Sequence, residues 1–392
     1  MTLRQQIAAL TPEMTAWRRD FHAHPELGYE EHRTSAIVAG KLREWGIEVH
    51  TGLGGTGVVG VLRGRRDAVG GNRAIGLRAD MDALPMTEAT GLPHASTTPG
   101  RMHACGHDGH TAMLLGAAKY LAETRDFSGT VHLIFQPAEE SLAGAKAMID
   151  DGLFERFPCD AVYGLHNEPG LPLGQVSVRA GTMLAAIDYF SVKVRGLSTH
   201  GARPHLGIDS VVAAAQVVGA LQTVVSRNID PLETAVISVG QIHGGTSDIV
   251  IPEVVELRGS VRTLKPEIRD AIEPAFRRVV EGTVAANGAT AEISYRRAYP
   301  PTINTAAEAG RAARAVATLL GEAAVLPDEP PITAGEDFAF MLEKCPGAYV
   351  MFGQRGGTRG GVPVHNTLYD FNDDLLPLGA GYLAQLVEQE LG

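Results

Sequence analysis

The stretch AIDYFSVKVRG, residues 186–196, is the point at which the secondary-structure pattern of this chain changes. It predicts a strand, and a helical pattern over 209–227 follows it. Two adjacent strand patterns come next, TAVISVGQIHGG and EVVELRGSVRTL, and then a helical pattern over 265–287 and a last strand pattern, TAEISYRRAY. This β-α-β-β-α-β order is that of a ferredoxin-like unit.

The chain before this point alternates between helical patterns and continuous apolar runs. The runs VVGVLRG, RAIGLRADMDAL, TVHLIFQP and DAVYGLHN predict strands. A helix from about Gly109 to Glu123 is expected between the second run and the third, with Asp108 in the position of its cap. Continuous apolar strands that alternate with helices predict an α/β layer protein whose sheet is covered on both faces.

The α/β pattern resumes after Pro300 and Pro301 with a helical stretch at 305–321. The smaller β-α-β-β-α-β unit is therefore expected to be inserted in the larger domain. We predict one domain from residues 1–184 and 298–392 and an inserted domain from residues 185–297. A length of 392 residues favours two domains on its own account.

Charge and composition restrict the class of partner and the location. The net charge is −11, and the basic residues form no run longer than fragments such as RGRR at 63–66. Phosphate binding needs a concentrated basic face, so we expect no nucleic-acid partner and no membrane partner. The first residues contain no apolar leader, and the apolar stretch at 210–225 is interrupted by glutamines and is expected to be too short for a bilayer. With three widely spread cysteines and no expected disulfide framework, the chain is expected to be cytoplasmic.

The stretch GLGGTG at 52–57 matches the glycine pattern of dinucleotide-binding loops. That pattern needs a helix directly after it, because the helix N-terminus holds the pyrophosphate. The strand pattern VVGVLRG follows here instead. We therefore predict a hairpin turn at these glycines.

Side chains able to bind a metal ion recur in loops and at the ends of predicted strands. HACGHDGH, residues 103–110, brings Cys105 and His107 close together before a helix, and FQPAEES places Glu139 beside Glu140 after an apolar strand. Adjacent carboxylates repel each other unless a positive charge lies near them. A metal ion would supply that charge, with one glutamate as ligand and its neighbour free to handle protons.

Two further histidines lie at such positions. His166 in YGLHN comes at the end of a predicted strand, and His365 in PVHNTLYDFNDD lies in a loop. Five candidates from four segments converge where α/β sheets place their sites. Three interpretations stay open at this point: a two-metal catalytic site, a structural metal site and a nucleophilic Cys105. A nucleophilic cysteine leaves Glu140 and His365 without a role, and a structural site would want a closed set of four ligands.

Seven motifs in a fixed order resemble those of the zinc-dependent aminoacylase and carboxypeptidase-like metallohydrolases. They are RADMDALPM, MHACGHDGHTAMLLG, FQPAEES, GLHN, STHGARPH, GEDFAFML and VHNTLYDFND. Within that family they resemble the branch of hippurate hydrolases, N-acyl-L-amino-acid amidohydrolases and auxin-conjugate amidohydrolases. The resemblance covers nearly the whole chain. It implies an α/β fold, with a phosphorylase/hydrolase-like catalytic domain and an inserted α+β ferredoxin-like lid that dimerises.

Position by position, the resemblance implies a metal site and two catalytic residues. The implied ligands of two divalent ions per subunit (zinc, manganese or nickel) are Cys105, His107, Glu140, His166 and His365. The Cys105 thiolate would bridge the two ions. Glu139 would act as general base and then as general acid, and His200 of the lid would polarise the substrate carbonyl.

The resemblance also implies supporting residues around the ligands. Asp82 would orient a ligating histidine. The wider family has a histidine ligand where this chain has Asp80, and His107 is expected to replace it. His103 and His110 are expected to be structural or to support the ligands.

One departure bears on the substrate. Relatives usually carry an asparagine in the motif GGTxxNVIP, where it helps to hold the substrate carboxylate. This chain has GGTSDIVIP, with Ile249 at that position and Asp248 before it. The apolar side chain would weaken carboxylate recognition, or Asp248 would favour a substrate that carries a positive charge.

The implied activity is hydrolysis of the amide bond of small N-acyl amino acids, hippurate-like or N-acetylated, by metal-activated water and Glu139. The alternatives are a metallo-carboxypeptidase or dipeptidase of the same family and, less favoured, an amidase with a cysteine nucleophile. The implied partners are the small amide substrate and further copies of the chain, in a homodimer or dimer-based oligomer formed through the lid.

Overall fold

The structure is a computed structural model that describes residues 1–67 and 73–392. Its helices are α1 Leu3–Ala9, α2 Thr11–Ala23, α3 His32–Glu44, α4 His107–Thr124, α5 Glu139–Leu142, α6 Gly144–Asp150, α7 Leu153–Arg156, α8 Ser210–Asn228, α9 Pro266–Ala286, α10 Ala306–Leu320, α11 Ala339–Leu342 and α12 Leu376–Leu391. Its strands are β1 Glu48–Leu53, β2 Gly57–Arg63, β3 Ala74–Asp80, β4 Thr130–Gln136, β5 Ala161–Pro172, β6 Val176–Ser177, β7 Gly181–Leu184, β8 Ala186–Arg195, β9 Thr199–His200, β10 Ala235–Gly244, β11 Val250–Ile251, β12 Val254–Thr263, β13 Thr290–Tyr299, β14 Thr302–Asn304, β15 Val325–Leu326 and β16 Gly347–Arg355.

The chain forms two compact units. The first consists of Met1–Met183, Ile303–Pro330 and Asp337–Gly392. The second, called the inserted unit below, consists of Leu184–Thr302 and Pro331–Glu336. The predicted fold class, an α/β domain with an inserted α+β unit, is confirmed.

The first unit is built on a mixed sheet with the strand order β1-β2-β4-β3-β5-β16-β6-β15. Strand β3 lies between β4 and β5 and is parallel to both, and β5 is parallel to β16. Helix α4 packs on β3 and against α2 and α12. Strand β4 is buried from its second residue to its last, which explains its continuous apolar sequence.

Strand register brings three chemically important positions to one level of this sheet. Asp80 at the end of β3 lies opposite Gln136 at the end of β4. Arg78 lies opposite Gly164 of β5, so His166, two residues further along β5, reaches the level of Asp80. The prediction that His166 ends its strand is wrong, because β5 continues beside β16 as far as Pro172.

The glycine-rich stretch at 52–57 forms the predicted hairpin. Strands β1 and β2 are antiparallel, with Leu53 opposite Gly57. Gly54 and Gly55 have φ values of 61° and 91°, the left-handed region that glycine adopts without a steric cost.

The inserted unit contains an antiparallel sheet with the order β10-β12-β8-β13, and α8 and α9 pack on it. This arrangement confirms the predicted β-α-β-β-α-β order. Within the part of the chain that the structure describes, α8 is the one helix long and apolar enough to cross a membrane, so the expectation that this stretch is too short is wrong. Core helices pass the same test, and Ala213, Val217 and Leu221 of α8 are buried in the core of the inserted unit.

Helix α4 begins two residues before its predicted start, and Asp108 does not cap it. The residue before the helix is Gly106, which has a φ of 95°, and no side chain caps this end. A Cβ atom on Gly106 would lie 2.1 Å from Oδ1 of Asn167, so the close approach requires glycine. Asp108 lies in the first helical turn and pairs with the buried Arg18 of α2 instead.

This ion pair ties the start of α4 to α2. Arg18 Nε lies 2.9 Å from Asp108 Oδ2, and His22 Nδ1 lies 2.8 Å from the same oxygen. Arg18 Nη2 also donates to Asp370 Oδ1 at 2.7 Å. Burial by itself would raise the pKa of Asp108, but Arg18 and His22 hold it far below its usual value. The network thus fixes the helical turn that follows His107.

We expect Arg18→Met to lower the free energy of unfolding by about 3–5 kcal/mol, because it removes the arginine that compensates the buried Asp108 carboxylate. The measurement is urea denaturation of the purified chain. Arg19→Met is the matched control: Arg19 is the next residue, its side chain is 46% exposed, and it pairs with Asp373 at 2.8 Å. The control should change the free energy by less than about 1 kcal/mol. Equal effects of the two substitutions would contradict the role of the buried pair.

Candidate functional site

Two groups of potential ligand atoms share the thiol of Cys105. Cys105, His107 and His166 form the first group, and Cys105, Glu140 and His365 form the second. The atoms of each group lie within 4.8 Å of one another. Cys105 Sγ is 3.3 Å from His166 Nε2, and His365 Nε2 is 3.1 Å from Glu140 Oε1. The five predicted ligands therefore lie together as two triads with one common sulfur, here called the two triads.

Four segments of the first unit supply these side chains. Cys105 comes directly before α4, and His107 is the first residue of that helix. Glu140 is the second residue of α5, the one-turn helix that follows β4, and His166 lies within β5. His365 comes from the loop after β16 and has a φ of 59°. Such left-handed conformations are costly for residues other than glycine and concentrate at functional sites.

Hydrogen bonds orient the ligand atoms toward the triads. Asp82 Oδ1 lies 3.2 Å from His107 Nδ1, and Asp82 Oδ2 accepts from the Glu140 backbone N–H at 2.9 Å. His166 Nδ1 donates to the Asn167 carbonyl oxygen at 2.6 Å. The Nε2 atoms of both histidines are thereby left for the triads. His107 Nε2 is buried without a hydrogen-bond partner among the described residues, a costly state that a bound cation would relieve.

The electrostatics of the two histidines also suit a cation. Burial lowers the pKa of His166 far below its usual value, which keeps the imidazole neutral, as a ligand must be. Burial by itself would lower the pKa of His107 too, but the carboxylates of Asp80 and Asp82 raise it to about 10. The pKa of His107 therefore reports a surplus of negative charge around it.

The environment of Cys105 argues against a nucleophilic thiolate. Reactive cysteines need a lowered pKa, from a cation or from a helix N-terminus. Burial raises the pKa of Cys105 well above its usual value, and Glu140 and Glu139 raise it further. The described residues around the thiol thus favour metal ligation, in which the cation displaces the proton.

Glu139 lies beside the two triads without belonging to either. It is 7% exposed and groups with His107 and Glu140 within 4.8 Å. Its Oε1 lies 3.4 Å from the Asp337 backbone N–H. This position suits a group that transfers protons next to a metal site.

A second layer of polar residues surrounds His166, and the sequence did not predict all of its members. His110 Nδ1 lies 2.6 Å from Asp80 Oδ1, and His110 Nε2 lies 2.7 Å from Asn167 Oδ1. Arg78 Nη1 donates to Asp80 Oδ2 at 2.7 Å. Both oxygens of Asp80 thus have protein partners. Arg78 and Asn167 were missed, although an arginine inside the apolar run RAIGLRAD was a signal of a buried charge.

His200, to which the family resemblance assigns a catalytic role, lies in the inserted unit. It belongs to β9, where it pairs with Val250 of β11, and its side chain is exposed. Its Nδ1 accepts from the Ala202 backbone N–H at 3.0 Å. Among the described residues, the potential metal-binding groups do not include His200. Ile249, next to Val250, is 65% exposed.

Comparisons with known proteins agree with this geometry. Residues 76–389 match the peptidase family M20/M25/M40. The chain is 42% identical to a hippurate hydrolase of Campylobacter jejuni over 387 residues, which is 98% of each chain. It is also 42% identical to an N-acetyl-L-cysteine deacetylase of Bacillus subtilis over 364 residues, which is 91% of this chain and 85% of the relative.

A solved structure extends the likeness to the fold. A dinuclear metal-binding peptidase of the M20 family from Bacillus subtilis superposes with a TM-score of 0.83 at 36% identity and covers 97% of this chain and 98% of its own. The two triads with their shared thiol are consistent with the dinuclear metal site named for this relative. The chain therefore belongs to the M20/M25/M40 peptidase family and is a metal-binding hydrolase of amide bonds.

Proposed function

We propose that this protein is a metal-dependent amidohydrolase that cleaves small N-acyl amino acids, either hippurate-like or N-acetylated. The observation that carries the proposal is the pair of triads that share Cys105, with Glu139 beside them. The similarity to two relatives, a hippurate hydrolase and an N-acetyl-L-cysteine deacetylase, supports this substrate class.

The donor set fits two divalent ions. Cys105, His107 and His166 would hold one ion, and Cys105, Glu140 and His365 the other. Thiolate, imidazole and carboxylate ligands suit zinc, and the carboxylates also accept manganese or nickel. When bound, such ions supply Lewis acidity that polarises a carbonyl and lowers the pKa of water.

Residues of the chain supply proton transfer, positioning of the ligands and stabilisation of the oxyanion. Glu139, whose Oε1 faces the Asp337 N–H, takes the proton of the attacking water and passes it to the leaving amine. Asp82 keeps His107 and Glu140 in place through its two oxygens. His200 donates a hydrogen bond to the carbonyl oxygen as negative charge develops on it.

We further propose that His200 acts in a dimer formed through the inserted unit. Strand β10 is an edge strand of the inserted sheet and exposes Val236 and Ile242. Helix α8 of the same unit exposes Val211 and Val212. Unpaired strand edges and exposed apolar side chains are typical of surfaces that bind another chain.

A cytoplasmic location is also part of the proposal. The cysteines of the described chain, Cys105, Cys159 and Cys345, are all free thiols. A ligating Cys105 must stay reduced, which the cytoplasm favours.

The test of the proposed function is a substrate panel with N-acetyl and N-benzoyl amino acids, free amides and dipeptides, each with added Mn²⁺, Zn²⁺, Co²⁺ or Ni²⁺. We expect hydrolysis of the N-acyl amino acids, its loss after chelation, its return with metal, and more than one metal ion per chain at saturation. Faster cleavage of dipeptides would favour the carboxypeptidase or dipeptidase alternative. Full activity of metal-free protein would favour a cysteine nucleophile. Comparing the rates of hydrolysis of N-benzoylglycine and of its amide shows whether a chain with Ile249 recognises the substrate carboxylate.

The adjacent glutamates should separate in their effects. Glu139→Gln keeps the shape of the side chain and removes the base, so we expect activity to fall by a factor of about 10² or more while metal content is retained. Glu140→Gln should lose metal as well as activity. Activity assays paired with metal analysis check both variants. Loss of metal in Glu139→Gln together with activity in Glu140→Gln would mean that the roles are exchanged.

The role of His200 is tested by mixing variants. His200→Ala should reduce activity strongly with little change in metal content, because an oxyanion donor contributes about 3 kcal/mol in the transition state. If His200 acts on the site of the partner subunit, heterodimers of His200→Ala and Glu139→Gln regain one intact site in two. Verified heterodimers without activity would exclude action in the partner subunit. A fully active His200→Ala homodimer would exclude the role itself.

A further inference from the structure

The two adjacent glutamates follow a turn with a strained backbone. Ala138, directly before α5, has φ 53° and ψ 45°, and Ala143, directly after α5, has φ 58° and ψ 47°. A residue with a Cβ atom rarely adopts this left-handed conformation. A single helical turn of four residues between two such alanines has little stability of its own, so contacts from elsewhere must hold it.

Three carboxylates from other segments of the first unit hold backbone amides of this turn and of α6 behind it. Asp82 Oδ2 accepts from the Glu140 N–H at 2.9 Å, and Asp337 Oδ2 accepts from an N–H of α6 at 2.8 Å. The third is Glu31, whose Oε1 accepts from the Ala138 N–H at 2.8 Å. Glu31 bonds Ala138, one of the two left-handed residues, directly.

Glu31 makes this contact instead of capping the helix that it precedes, α3. It occupies the N-cap position of α3, yet its side chain makes no capping hydrogen bond there. Its second oxygen accepts from the Thr56 hydroxyl at 2.6 Å, so both oxygens are engaged. The side chain is fully buried, and burial raises its pKa to about 7. Burying a carboxylate is costly, and the hydrogen bonds from Thr56 and Ala138 offset that cost.

A neighbouring glycine, Gly28, permits a close approach to the turn on this side. A Cβ atom on Gly28 would lie 3.1 Å from both the Cα and the Cβ of Ala138. The segment that carries Glu31 therefore also approaches Ala138 closely through its backbone. The close approach of Gly28 and the hydrogen bond to Glu31 together hold the conformation of Ala138, the residue before Glu139.

We propose that Glu31 is a positioning residue: its carboxylate holds Ala138 in the left-handed conformation and so directs Glu139 and Glu140 toward the two triads. The inference rests on the proposed function for the part that concerns catalysis. The part that concerns the turn stands on the hydrogen bond alone and is measured without a substrate.

Three substitutions separate the hydrogen bond from packing. Glu31→Leu fills a similar volume without an acceptor, and Glu31→Ala is a second variant that also lacks it. Glu31→Gln keeps an acceptor oxygen for the Ala138 N–H. The matched control is Glu26→Leu: Glu26 accepts from the N–H groups of Arg33 and Thr34 at 2.9 and 2.8 Å, an equivalent contact at the start of the same helix.

Catalysis at saturating metal is the first measurement. We expect Glu31→Leu and Glu31→Ala to lower kcat by about tenfold or more with KM nearly unchanged, because misplaced catalytic groups affect the transition state. Glu31→Gln and Glu26→Leu should keep most of kcat. An unchanged kcat in Glu31→Leu or Glu31→Ala overturns the proposal, as does an equal loss in Glu26→Leu.

Hydrogen–deuterium exchange of the segment 137–145 is the second measurement and needs no activity. We expect the amides of this segment to exchange about tenfold faster in Glu31→Leu than in the unaltered chain or in Glu26→Leu, because the turn opens when its anchor is lost. Unchanged exchange overturns the positioning role. Faster exchange in a chain that hydrolyses no amide leaves that role standing and overturns only the proposed function.

Discussion

The carboxylate of Asp82 bonds two groups that belong to different triads, the imidazole of His107 and the backbone N–H of Glu140. One short side chain thus sets the separation between the start of α4 and the turn after β4. Since Cys105, directly before α4, is common to both triads, a shift of that segment would move atoms of both, and a shift of the turn after β4 would move Glu140 of the second triad. The geometry of the site therefore depends on how firmly these two segments are held against the ends of the sheet.

Buried ion pairs hold these two segments in place, and in each pair an arginine compensates an aspartate. Arg18 neutralises Asp108 one residue after His107, and Arg78 neutralises Asp80 at the end of β3. Around Cys105, by contrast, burial and then the nearby carboxylates raise the pKa of the thiol. Carboxylates also raise the pKa of His107 against the effect of burial, so negative charge is in surplus there. Such a surplus is costly unless a cation compensates it. The same interior thus contains closed ion pairs that fix segments and an anionic centre whose charge suits a metal ion.

Much of this was accessible from the sequence, for identifiable reasons. Continuous apolar runs predicted the central strands, and polar residues just past them, such as Glu139 and Glu140, marked the candidate site. The prediction for Asp108 was wrong because a cap and a buried ion pair look alike locally, and Arg18 lies 90 positions away. The prediction for His166 was wrong because the length of β5 is set by its pairing with β16 and not by its own apolar run.

The sequence by itself determined the kinds of candidate metal-binding side chain, their order along the chain and the elements that carry them, because these follow from local periodicity and residue chemistry. Only the tertiary structure decided that one thiol serves two triads, that Arg78 and Asn167 support the ligands, and that Glu31 bonds the residue before Glu139. Apart from the bond between Arg78 and Asp80 within β3, each of these contacts joins distant segments through strand register and the approach of helices. A backbone angle such as that of Ala138 carries no sequence signal, since alanine favours the opposite conformation and adopts this one where its surroundings hold it there.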